Sequence, residues 1–107
     1  MTRTASPLTI ITGRPIADGW MNVRFSFGGQ SFRAQALVFD VPSRFGIAQG
    51  RVSKMAVWRI DVVPGTQPLR TTSVEIFNFD RGLDFDRAPA GLIDALVNHL
   101  ESRRVTA

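Results

Sequence analysis

The sequence has no cysteine and no tyrosine, a single histidine (His99) and a single lysine (Lys54). Without cysteine there is no disulfide framework and no thiolate-held metal. That absence fits a reducing compartment, and a cytoplasmic location is the expectation. No apolar run approaches the ~20 residues of a membrane span, so no membrane partner is expected. The opening Met1-Thr-Arg-Thr-Ala-Ser-Pro7 lacks the apolar stretch of a secretory leader; residues 1–7 read as a disordered terminus.

What is present describes a single domain over residues 1–107, since a second core would leave each half too small to be stable. Twelve arginines and one lysine against nine acids give a formal charge of +4. The charge is dispersed, with Arg103-Arg104 the only adjacent basic pair. This is no nucleic-acid tail, although the sign leaves acidic partners open.

The clearest local pattern is Trp20-Met-Asn-Val-Arg-Phe-Ser-Phe27, then Gly28-Gly29, then Gln30-Ser-Phe-Arg-Ala-Gln-Ala-Leu-Val-Phe39. Both runs alternate, and Gly-Gly between them predicts a two-residue hairpin whose central residues need positive φ. That turn sets Phe27 opposite Gln30, Phe25 opposite Phe32, Val23 opposite Ala34 and Met21 opposite Ala36. The other side then pairs Ser26 with Ser31, Arg24 with Arg33 and Asn22 with Gln35. One face is apolar and one polar, as a half-buried antiparallel sheet requires.

Residues 40–54 break the alternation and predict a long loop with a short strand near Phe45 to Ala48. Met55 to Val63 is a strand, with Ala56, Trp58, Ile60 and Val62 on one side and Val57, Arg59, Asp61 and Val63 on the other. Ser73 to Phe79 is another, with an awkward pattern: Val74 and Ile76 point one way, Glu75, Phe77 and Phe79 the other. Leu8 to Thr12 is an additional N-terminal strand. Pro89 suits a first helical turn after Asp86 or Ala88, and Leu92, Ile93, Leu96, Val97 and Leu100 form an apolar stripe. Asp94, Asn98, Glu101 and Ser102 then face water, and Arg103-Arg104 sits near the negative dipole end.

The expected fold class is therefore α+β: an antiparallel four- to five-stranded sheet, a meander built on the Gly-Gly hairpin, then one C-terminal amphipathic helix over about 88–103 packed on one face. Strands at ~4.8 Å spacing make such a sheet about 20 Å wide, against ~10 Å for a helix. One helix cannot cover it. The sheet must curl, or a loop, a second copy of the chain or a partner must cover the rest.

Four sets of residues invite a functional reading. Arg24 and Arg33 are cross-strand neighbours of like charge, which an anion would relieve; with Phe77 and Phe79 on the same face they would form an Arg–aromatic platform. Against this, Arg59, Asp61 and Glu75 on that face would neutralise the pair. The loop supplies Arg44, Phe45, Arg51 and Lys54. Its Gly46-Ile-Ala-Gln-Gly50 spacing departs from a phosphate-binding loop, with three residues between the glycines, Arg in place of Lys and no following helix. Asp80, Asp84 and Asp86 are near enough in sequence to hold a divalent cation, yet Arg81 and Arg87 oppose one and turn formation accounts for the same residues. His99 lies at the edge of the helix stripe with no nucleophile or orienting acid beside it.

The leading expectation is a non-enzymatic domain, without cofactor or metal, that binds a protein partner through Arg24, Arg33, Arg44, Phe45, Arg51, Lys54, Phe77 and Phe79. Compact cysteine-free domains without an evident active site are common among phage and mobile-element products, anti-CRISPR proteins included; that analogy is of size and composition only. A nucleic-acid-binding module using the Arg/Phe face and basic loop is the first alternative. A metal-dependent hydrolase at Asp80, Asp84 and Asp86 is the second.

Overall fold

Gly28 and Gly29 adopt φ values of 57° and 83°, the left-handed pair that a two-residue hairpin turn needs. The strands on either side, β2 (Trp20–Phe27) and β3 (Gln30–Val38), pair with Phe25 opposite Phe32 and Arg24 opposite Arg33. Every hairpin pair expected from the turn is present. In this computed structural model, which describes residues 7–102, the hairpin is the centre of a larger meander. β1 (Leu8–Pro15), β4 (Val52–Val63), β5 (Arg70–Asp80) and β6 (Leu83–Asp86) complete a six-stranded antiparallel sheet in the order β1-β2-β3-β4-β5-β6. Expected disorder in residues 1–6 and the placement of Arg103-Arg104 lie outside the described residues. Pro7 is tied to the fold, its carbonyl accepting a hydrogen bond from Gly28 N–H at 3.2 Å.

The sheet has six strands where four to five were expected. β6 arises from the acidic run, where Leu83-Asp84-Phe85-Asp86 alternates over only four residues and is paired to β5. The segment near Phe45 is not a strand but a loop with a 3-10 turn at Ile47–Gln49.

The awkward pattern of β5 has a structural cause. Val57 pairs with Phe77 while Trp58 pairs with Glu75, so Ile76 is an extra residue in a β-bulge. The bulge lets consecutive residues Ile76 and Phe77 both turn inward, and both are buried.

One face of the sheet carries the core: Met21, Val23, Phe25, Phe32, Ala34, Ala36, Met55 and Val57, with Ile76 and Phe77. Phe25 and Phe32 stack with ring centroids 5.4 Å apart. The helix α1 (Leu92–Ser102) closes this face with Leu92, Leu96, Val97 and Leu100. It begins later than Pro89 suggests because Gly91, with φ 85°, cannot be helical. No helix among the described residues is long and apolar enough to cross a membrane.

Candidate binding face

Among the described residues no helix lies over the opposite face, and the strand register writes out its composition. One cross-strand row runs Thr12, Arg24, Arg33, Trp58 and Glu75; the next runs Arg14, Asn22, Gln35, Ala56 and Asn78. Below them lie Trp20, Leu37, Lys54 and Asp80, and above them Ser26, Ser31, Ile60 and Ser73. Both tryptophans of the chain therefore stand on the face away from the core, each only partly buried. Four cations (Arg14, Arg24, Arg33 and Lys54) share that face with two acids (Glu75 and Asp80).

The arginine pair occupies the predicted place, but its surroundings differ from expectation. Arg59 and Asp61 were to neutralise it; instead Arg59 pairs with Phe32 on the helix-covered side, where its guanidinium meets Asp61 at 3.0 Å. Trp58 takes the neighbouring position, and the Arg33 guanidinium lies 4.4 Å from its ring centroid. The core parity of β4 explains the exchange, since Met55 and Val57 are the residues buried beneath β3. Glu75 shares the row, but its carboxylate faces the Asn78 amide at 3.4 Å. Neither Arg24 nor Arg33 has a carboxylate within 4.0 Å among the described residues.

Phe77 and Phe79 do not join this platform. Phe77 is buried in the core and Phe79 packs against it from the helix-covered side, because the bulge shifts β5 by one residue. Arg51 also leaves the expected site. Its guanidinium donates to Glu101 Oε1 at 3.1 Å, to the Leu100 carbonyl at 3.2 Å and to the Glu101 carbonyl, so it caps the end of α1. Glu101, expected in water, is drawn in by the same contact, and its other oxygen accepts the Arg51 backbone N–H at 2.7 Å.

The loop glycines are explained by this packing. A Cβ at Gly46 would collide with the Gly50 carbonyl, and one at Gly50 with the Glu101 carboxylate. Close approach of the Gly50 carbonyl and of the Glu101 carboxylate accounts for the two glycines. Arg44 and Phe45 remain exposed on the loop, guanidinium over ring at 4.8 Å. Lys54 is on the open face beside Asp80 at 3.7 Å.

The three aspartates are not brought into one site. Asp80 faces Lys54 and Arg81, each at 3.7 Å, and Asp86 accepts the Ala88 N–H at 2.9 Å. No group of three or more His, Asp or Glu side chains poised for a metal occurs among the described residues.

Trp20 and Trp58 are the site residues missed by the sequence reading. Trp20 was legible, because it continues the polar parity of Asn22 and Arg24 across β2. Trp58 was not, because it belongs to the apolar side Ala56, Trp58, Ile60 and Val62, which by polarity alone reads as the core side, and only the pairing with β3 turns that side outward.

Concavities occur on this face. One, of about 190 Å³, is lined by Trp20, Gln35, Lys54, Ala56, Asn78 and Asp80, together with Met55 and Phe79 of the same strands. Another, of about 340 Å³, lies between Arg24 and Arg33 on one side and Thr71 to Ser73 on the other, over Ile60. β2 and β5 are three strand spacings apart, about 14 Å in a flat sheet.

No curated protein sequence and no solved structure is significantly similar to the chain. The family model described as "Domain of unknown function (DUF7678)" matches residues 19–102, which span β2 through α1 and leave β1 outside. With most of its length matched, the chain belongs to the DUF7678 family.

Proposed function

We propose that this domain is a non-enzymatic interaction module that docks a protein partner on the open face of its sheet. The observation that carries the reading is the position of Trp20 and Trp58. The core is built from aliphatic side chains, phenylalanine and methionine, while both tryptophans stand on the uncovered face beside Arg24 and Arg33. Trp and Arg supply most binding energy at protein interfaces, because each offers a large rigid surface with a polar edge.

A nucleic-acid partner is the second reading, favoured by the Arg33–Trp58 stack and by four cations to two acids on the face. The same experiment separates the two. A photo-cross-linker is placed at Ser31, exposed on the open face, and in a second variant at Asp94, exposed on the helix. In cells of the native source, protein adducts at Ser31 and none at Asp94 support the protein partner; self-adducts make that partner a second copy. Nucleic-acid adducts at Ser31 transfer the face to the second reading. Adducts equal at both positions, or none, remove the face from consideration.

A further inference from the structure

We propose that the cleft between Arg24–Arg33 and Thr71–Ser73 is a phosphate site, taking inorganic phosphate or a phosphate monoester. The proposal does not require the protein partner, only that the open face be accessible. Five polar side chains meet at this cleft: Asn22, Arg24 and Arg33 from β2 and β3, and by register Thr71 and Ser73 from β5. Among the described residues none of the five makes a side-chain hydrogen bond or ion pair. The Asn22 Oδ1 is buried without a partner, and a polar atom removed from water normally has one.

The charges select the ligand. Arg24 and Arg33 stand directly opposite each other, an arrangement that costs stability unless an anion lies between them. A carboxylate neutralises one guanidinium and leaves the other. A phosphate monoester carries roughly −1.5 to −2 at neutral pH, which matches the pair, and its oxygens accept in the planes that guanidinium groups present. The hydroxyls of Thr71 and Ser73 add donors from the opposite wall. Glu75, the acid in the same row, is separated from Arg33 by Trp58.

Arg33 rests on Trp58, so occupancy of the cleft changes tryptophan emission. The full chain is titrated with inorganic phosphate at constant ionic strength, with sodium chloride as control and with O-phosphoserine, glutamate and oligothymidylate as further arms. A saturable response to phosphate or phosphoserine, absent with chloride and glutamate, is expected; the tighter of the two names the source. Arg24→Gln and Ser73→Ala do not touch the indole, and Arg24→Gln is expected to weaken binding by about tenfold or more. Amide shifts in an NMR titration are expected to centre on Arg24, Arg33, Thr71 and Ser73, independently of the variants. No saturable response by either method, binding unaltered by Arg24→Gln, or saturation by oligothymidylate alone overturns the proposal.

Discussion

Arg33 lies over the indole of Trp58, guanidinium to ring centroid 4.4 Å, on the side of the sheet that the helix leaves bare. Directly across the strand from Arg33 stands Arg24, equally cationic and without an aromatic partner among the described residues. The two members of this pair are thus unequal, and mutation separates them. Arg33→Ala loses a cation–π contact of about 0.5–1 kcal/mol but also relieves repulsion, leaving a small net destabilisation. Arg24→Ala removes only the repulsion and is expected to stabilise by a few tenths of a kcal/mol. Urea unfolding of the two variants checks the opposite signs. Tryptophan emission, with no tyrosine in the background, shifts only in Arg33→Ala.

Arg51 and Glu101 join the long loop to the last turn of the helix. Their side chains are 15% and 29% exposed and meet at 3.1 Å, shielded enough for the pair to matter beyond a surface contact. The carboxylate also holds the Arg51 backbone N–H. Glu101→Ala leaves a largely buried guanidinium without its counter-charge, at a cost of about 2–3 kcal/mol. Thermal unfolding measures it, and hydrogen exchange in residues 43–51 rises in the variant.

The same joint makes two glycines intolerant of a methyl group. Gly46→Ala meets the Gly50 carbonyl, which is backbone; Gly50→Ala meets the Glu101 carboxylate, which can turn away only by giving up its bonds to Arg51. Each is therefore expected to destabilise by about 1–3 kcal/mol. A melting temperature unchanged in either variant would contradict the packing described for this loop.

What could be read from the sequence depended on how local the determinant was. The β2–β3 hairpin was legible to the residue because Gly28-Gly29 fixes the turn and the turn fixes every pair. The helix stripe was legible for the same reason, since Leu92 to Leu100 repeats within one element. β4 was not, because its parity is decided by β3, which puts Trp58 outward and Arg59 inward. β6 is a strand only because β5 offers it an edge. Arg51 looked like a free contact residue, and only a helix fifty positions later in the chain gives it another task. The open face was therefore half legible: its arginines were found, its tryptophans were not.

Phe77 distinguishes the core from the face most sharply. A register without the bulge would place it on the open face opposite Ala56, where its loss would weaken binding and spare stability. With Ile76 as the extra residue, Phe77 is 3% exposed and packs in the core. Phe77→Ala is expected to cost about 3–5 kcal/mol, a large share of the stability of a domain this size. Phe77→Leu keeps most of the volume and is expected to fold, with the emission of Trp20 and Trp58 unchanged, because the residue touches the other side of the sheet. Chemical denaturation with fluorescence and circular dichroism reads both quantities. A mild cost for Phe77→Ala with altered tryptophan emission would return Phe77 to the open face and remove the bulge.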